Sequence, residues 1–325
     1  MLRLANDTDH FFNAYPSVFH CLTRLSLHNI DAPNSELRVL DLDTCCFGRL
    51  ELVCLPKLEK LHWDTWESED APLSFDSVPS LRELHLANGP ELHQNVIKLS
   101  ELLRGTMGIH TLTLDFMGEN QAITRSVTFS KKNVSQLIQS FLRMELSHQL
   151  WMQPEMKELS SAFSKLRMLS ILGIFIEFDL IWTTALLEAA PSVEILQIQV
   201  YDHLCDIDGQ VRLRSFPERR SPQWEMDCRG SKNLLLRELQ IIWFKPLKQQ
   251  LAFTRAMLER APNLQKIILR DESCEACDDL GQPPPCSCAE RLFPESKDEQ
   301  ERVVRRITDG AIFSGQVIFE DRKKL

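Results

Sequence analysis

The pattern L-x-x-L-x-L constrains this chain more than any other feature. It fits at Leu22-Leu25-Leu27, Leu37-Leu40-Leu42, Leu58-Leu61-Trp63, Leu81-Leu84-Leu86 and Ile109-Leu112-Leu114. It recurs at Leu166-Leu169-Ile171, Val193-Leu196-Ile198, Leu236-Leu239-Ile241 and Leu264-Ile267-Leu269. The last two members of each set lie two apart, so they share one face of a strand. Before four of the sets stands a proline, in "CLPKLEKLHW", "SVPSLRELHL", "AAPSVEILQI" and "RAPNLQKIIL". Pro56, Pro79, Pro191 and Pro262 each mark a break before a strand. A proline there removes a backbone donor and turns the preceding residue away from helix.

Helical periodicity fills the gaps. Phe178, Ile181, Trp182, Ala185, Leu186 and Ala189 step by threes and fours, as do Val134, Leu137, Ile138, Phe141 and Leu142. Val96, Leu99 and Leu103 predict a third helix, ended by Gly105. A strand, a helix and a return at this spacing make a leucine-rich repeat. Neither element buries its apolar face alone, so neighbours must stack. The expected fold is therefore α/β, an irregular leucine-rich-repeat solenoid with parallel strands on the concave face and helices on the convex face. A compact α/β domain is the competing fold. The period is ragged, with a 57-residue gap from Ile109 to Leu166 that predicts one degenerate repeat. The asparagine that commonly follows the third leucine is mostly missing, and Cys45 holds that ladder position in "LRVLDLDTC".

Composition narrows the functional classes. A chain of 325 residues with 43% hydrophobic content can bury a large core. The formal charge of −9, without a basic cluster, argues against a nucleic-acid partner. The most apolar stretch, 169–182, contains Glu177 and Asp179 and is too short to span a membrane. The opening "MLRLANDTDHFF" lacks the pattern of a secretory signal. Ten cysteines without such a signal read as reduced thiols in the cytoplasm or nucleus.

The stretch "LLLRELQIIWFKPLKQQLAFTRAMLERAPNLQKIIL" at 234–269 resembles the FBD region near the C-terminus of many plant F-box proteins. "LRMLSILGIFIEFDLIWTTALLEAAPSVEILQI" at 166–198 looks like a repeat of the grass-type F-box/leucine-rich-repeat proteins, and so does "KDEQERVVRRI" at 297–307 with its final "VIF". The resemblance implies a leucine-rich-repeat solenoid over 1–231, then FBD-like terminal repeats and a C-terminal cap over 232–325. It also implies that the repeats hold a protein substrate for a cullin-based ubiquitin ligase. In that family an N-terminal F-box docks on the Skp adaptor. Here 21 residues precede the first matched repeat and no F-box fits them, so adaptor binding is expected only from a longer product.

Residues flanking the third apolar position should face the concave groove, where adjacent strands lie about 4.8 Å apart. The early repeats offer His28, Asp41, Asp43, His62, Asp64, His85 and Asp115, an acidic and histidine-rich surface. The late repeats offer glutamine and apolar residues at the same places, among them Gln197, Gln240 and Ile268. This is either a docking surface for a basic or polar partner segment or an ordinary solvated strand face. Trp66, in "DTWESED", is expected in an acidic loop at a strand exit, as a partner anchor or as packing over the repeat edge. His62, Asp64 and His85 have the ligand types of a metal site. Cys274, Cys277, Cys286 and Cys288 could close a structural zinc site, although the pair Cys286-x-Cys288 is short and a reduced loop reads equally well. No G-x-S-x-G, phosphate-binding glycine loop or H-E-x-x-H occurs, so neither an enzyme nor a cofactor is expected. The function expected is protein binding. The alternative is a hormone-like small-molecule sensor, roofed by the insertions at 116–165 and 201–234.

Overall fold

A computed structural model describes residues 2–4, 24–28, 37–42, 49–53, 55–66, 73–88, 98–106, 108–115, 155–176, 178–201, 234–272, 293–311 and 313–321. In chain order the strands are β1 (Leu2–Leu4), β2 (Arg24–His28), β3 (Val39–Leu42), β4 (Arg49–Val53), β5 (Lys60–Trp66), β6 (Leu73–Phe75) and β7 (Glu83–Asn88). They continue with β8 (Thr111–Asp115), β9 (Met168–Phe175), β10 (Ile195–Tyr201), β11 (Glu238–Ile242), β12 (Lys266–Asp271) and β13 (Gln316–Asp321). The helices are α1 (Leu99–Leu102), α2 (Met156–Ala162), α3 (Thr184–Ala189), α4 (Lys248–Arg260) and α5 (Lys297–Thr308). A 3-10 turn (Ile181–Thr183) leads into α3.

The molecule is α/β, built on one long sheet ordered β1-β3-β5-β7-β8-β9-β10-β11-β12-β13. Apart from β1, which pairs antiparallel with β3, its strands run parallel and follow chain order. This is the arrangement of a leucine-rich-repeat-like solenoid. Leu40, Leu61, Leu84, Leu112, Leu169, Leu196, Leu239 and Ile267 stand in one buried row, each the register partner of the next. A second row runs from Leu42 through Trp63, Leu86, Leu114, Ile171, Ile198 and Ile241 to Leu269. The sheet passes from β10 to β11 with the same five-residue parallel register that joins β11 to β12.

The backbone at each strand entry explains the order. The carbonyl of Arg38 accepts the N–H groups of both Glu59 and Lys60, and that of Glu59 accepts Arg82 and Glu83. The same double acceptance recurs at Arg82, His110, Arg167, Glu194 and Arg237, with distances of 2.7–3.1 Å throughout. Both lone pairs of each carbonyl are thereby used. The prolines sit in the turns that deliver the chain to this ladder. Leu58, Leu81, Val193 and Leu264 donate their N–H groups to Leu55, Val78, Ala190 and Ala261 at 3.0–3.3 Å. Each is a four-residue turn with proline second, the position its fixed φ favours. Leu166 closes the same turn on Phe163 at 3.0 Å with Ser164 in place of proline, so proline assists the turn without being required. The hydroxyl of Ser192 reaches back to the Leu166 carbonyl at 2.9 Å and that of Ser80 to Pro56 at 2.6 Å, tying one turn to the one before.

The convex layer differs from expectation. Helices were expected throughout, but strands β2, β4 and β6 form a parallel sheet behind the first repeats, and α1 contacts β6 where the helical layer begins. The segments "RLELV" and "LSF" alternate with period two and are too short for a helix, so strand pairing covers the core there. The match at Leu22-Leu25-Leu27 therefore belongs to the outer sheet: Leu25 and Leu27 stand opposite Leu50 and Leu52 of β4. An L-x-L spacing specifies a strand with one buried face and does not say which layer the strand joins.

From α1 onward helices close the core. Gly105 ends the α1 region with φ +88°, and a Cβ there would meet the Phe75 carbonyl at 2.6 Å. Phe178, Trp182 and Leu186 are buried as their periodicity predicts. The Arg260 guanidinium of α4 pairs with Glu188 of α3, both largely buried. α5 starts with a capping box between Ser296 and Glu299, buries Val303 and Ile307, and carries the Glu301–Arg305 pair at 3.4 Å. The Arg255 Nε–H of α4 donates to the Arg306 carbonyl at 2.5 Å, locking this last helix down. Residues 134–142, 45 and 202–233 lie outside the described residues.

Leu196→Asp should lower stability by about 3 kcal/mol or more, because the carboxylate enters a fully buried row. Gln197→Ala on the opposite face should cost about 1 kcal/mol at most, the worth of its 3.4 Å bond from Ser170. Urea denaturation of both variants checks the register, and a similar loss in both would place it off by one. Gly105→Ala should cost clearly more than Gly310→Ala: both have φ near +80°, but an alanine at 310 meets nothing within 4 Å. The difference should be at least about 1 kcal/mol in the same assay.

Candidate functional site

Alternation along each strand leaves three columns of side chains on the concave face. The first holds Val39, Lys60, Glu83, Thr111, Met168, Ile195, Glu238, Lys266 and Gln316. The central column runs Asp41, His62, His85, Thr113, Ser170, Gln197, Gln240, Ile268 and Ile318. The third includes Ala87, Asp115 and Leu172, then, past a register shift, Gln199, Ile242, Arg270 and Glu320.

Asp41, His62 and His85 are brought together. The Asp41 Oδ1 lies 3.2 Å from His62 Nδ1, close enough for an ion pair though not aligned as a hydrogen bond. The rings of His62 and His85 pack with centroids 4.1 Å apart, tilted by 55°. Burial, and then the charge of the neighbouring His62, lower the His85 pKa from 6.5 to about 4. His85 is thus neutral near pH 7, and a charge there is resisted first by lost hydration. The folded value lies below the unfolded one. Its contribution to stability is therefore full above pH 6.5 and is lost as the pH falls toward 4.

Asp115 stands on the same face, one strand beyond β7 and opposite Ala87. Asp64 occupies the matching position on β5. Trp66 is the last residue of β5, opposite Asn88 after a register shift, so the expected loop position is corrected to a strand end. His28 does not join the group. It ends β2 in the three-stranded outer sheet, opposite Val53, which corrects its expected concave position. Asp43 and Cys274, Cys277, Cys286 and Cys288 lie outside the described residues. Among the described residues, no group of three or more His, Cys, Asp or Glu side chains is placed to hold a metal.

Sequence reasoning missed the ion pairs that cross between strands. Lys60 meets Glu83 at 2.6 Å, and Lys266 meets Glu238 at 3.6 Å. Arg270 grips one oxygen of Glu320 through Nε at 2.9 Å and Nη2 at 2.7 Å. Opposite charges at equivalent places of successive L-x-L units are the signal that could have found them. These pairs leave the late half of the face electrically balanced. Ile242 and Ile268 are buried there despite pointing to the concave side, as is Ser170 on β9. No helix among the described residues is long and apolar enough to cross a membrane.

These elements define a repeat solenoid with a polar inner face. No protein-family model, curated protein or solved structure matches the chain.

Histidine proton resonances followed against pH should give His85 a midpoint of about 4. In His62→Gln that midpoint should rise yet stay below 6.5, because burial is the larger cause. A midpoint near 6.5 in the unsubstituted chain would contradict the packing described.

Proposed function

We propose that the chain is a protein-binding leucine-rich-repeat module whose concave face receives an extended segment of a partner. The carrying observation is the division of labour along each inner strand. Inward residues Leu196, Ile198 and Val200 are buried, while Gln197 and Gln199 between them remain partly accessible. The residues that stay accessible on this face have no core to maintain and are spaced at strand intervals of about 4.8 Å, a surface for recognition.

The resemblance to F-box/leucine-rich-repeat proteins gives this binding a purpose. On that reading the module is the substrate-recognition arm of a cullin-based ubiquitin ligase, and the Skp adaptor is engaged through an F-box in a longer product. The chain itself then needs no catalytic group. Its contribution is to hold the substrate at a fixed place relative to the ligase, with affinity set by a few anchors and specificity by the charge pattern of the groove. The neutral His85 imidazole offers a hydrogen-bond acceptor, which suits donor-rich partner side chains.

Photo-crosslinking tests this reading. A benzoylphenylalanine at Gln197 or Gln240 should trap a discrete protein from plant extract, and the same group at Arg305 on exposed α5 should not. Gln197→Arg with Gln240→Arg in the unlabelled competitor should abolish competition, a loss of tenfold or more corresponding to about 1.4 kcal/mol. The same set of products from concave and convex positions would contradict the proposal.

A further inference from the structure

The titratable groups of the central concave column are confined to one end. Asp41, His62 and His85 come from β3, β5 and β7, whereas β8 to β13 supply Thr113, Ser170, Gln197, Gln240, Ile268 and Ile318, none of which titrates. His62 and His85 are direct register partners, so their 4.1 Å ring contact lies across the joint between two strands.

We infer that this contact is a pH-operated seam: acidification places charge between β5 and β7 and loosens the N-terminal half of the concave sheet while the C-terminal half stays closed. The groups around His85 support that localisation. From β5 it faces His62, with Lys60 and Asp64 to either side in register. From β8 its register partner is Thr113, with Asp115 next on that face. On its own strand Glu83 is engaged by Lys60 at 2.6 Å, and Asp41 on β3 is engaged by His62 at 3.2 Å. The nearest carboxylates thus have cationic or imidazole partners already. A proton taken from solvent by a ring nitrogen of His85 finds a second imidazole in contact and a site partly shielded from water. Separation of the two strands relieves both penalties, because an opened His85 is hydrated and regains its ordinary basicity.

Opening is a property of the free chain. Its consequence for recognition, release of a segment lying over β5 and β7, rests on the concave-face reading proposed above. The two are separable, since the opening is measured without any partner.

Hydrogen exchange by mass spectrometry on the full chain at pH 7.0 and 4.5, corrected for intrinsic rates, tests the seam. Protection over 60–66 and 83–88 should fall about tenfold or more, while 195–201 and 238–242 change by less than about threefold. His85→Gln should keep the N-terminal protection at pH 4.5 within about threefold of its own value at pH 7.0. His62→Gln, which leaves His85 in place, should reduce the loss without removing it. Equal loss in both halves of the unsubstituted chain would overturn the inference, as would undiminished loss in both variants.

Discussion

The double acceptance at the entries of β5 and β7 to β12 is the constraint on which the rest depends. One carbonyl takes two N–H groups from the next repeat, from Arg38 through Glu59, Arg82, His110, Arg167 and Glu194 to Arg237. This fixes where each new strand begins relative to the last. With the start fixed, the leucines two and four positions later must fall into rows, and every row member is covered by its neighbours on both sides. A parallel strand cannot return by a tight hairpin, so each repeat needs a crossover that buries the other side of the row. A short period-two segment does this behind β3, β5 and β7, and helices do it further on. The core accepts either because it requires only an apolar face at the right distance.

The same constraint creates the candidate site. Once inward positions are spoken for, the residues between them face the groove at set spacings, and chemistry there depends on which residues the repeats put side by side. Lys60 beside Glu83 and Lys266 beside Glu238 neutralise each other. His62 beside His85 does not, and this makes the early repeats the electrostatically sensitive part of the sheet.

Much of this architecture was legible because an L-x-x-L-x-L spacing is a direct record of burial on one strand face. Eight of the nine matches lie at the inner strands β3, β5 and β7 to β12. The match at Leu22 was assigned to the wrong layer because burial on one face is common to both sheets, and His28 went with it. β13 fell outside the nine matches because Val317 and Phe319 lack the leading leucine, although "VIF" carried the alternation. The proline turns were legible as breaks, but their i to i+3 bonds require atomic positions. The site was legible as a list of residue types facing one way. That Asp41, His62 and His85 touch follows from the pairing of strands about twenty residues apart, and burial of His85 follows from its neighbours, so neither could be read from local spacing.

The central claim is one continuous parallel sheet in chain order. Nitroxide labels introduced as unnatural amino acids at the exposed strand-entry residues test it by pulsed dipolar distance measurement. Arg38 and Arg237 precede strands separated by six steps, and Arg82 and Arg237 by four. The first distance should exceed the second by about two strand widths, roughly 10 Å less a small reduction for curvature. Equal distances, or a shorter span from Arg38, would contradict the continuous sheet and the account built on it.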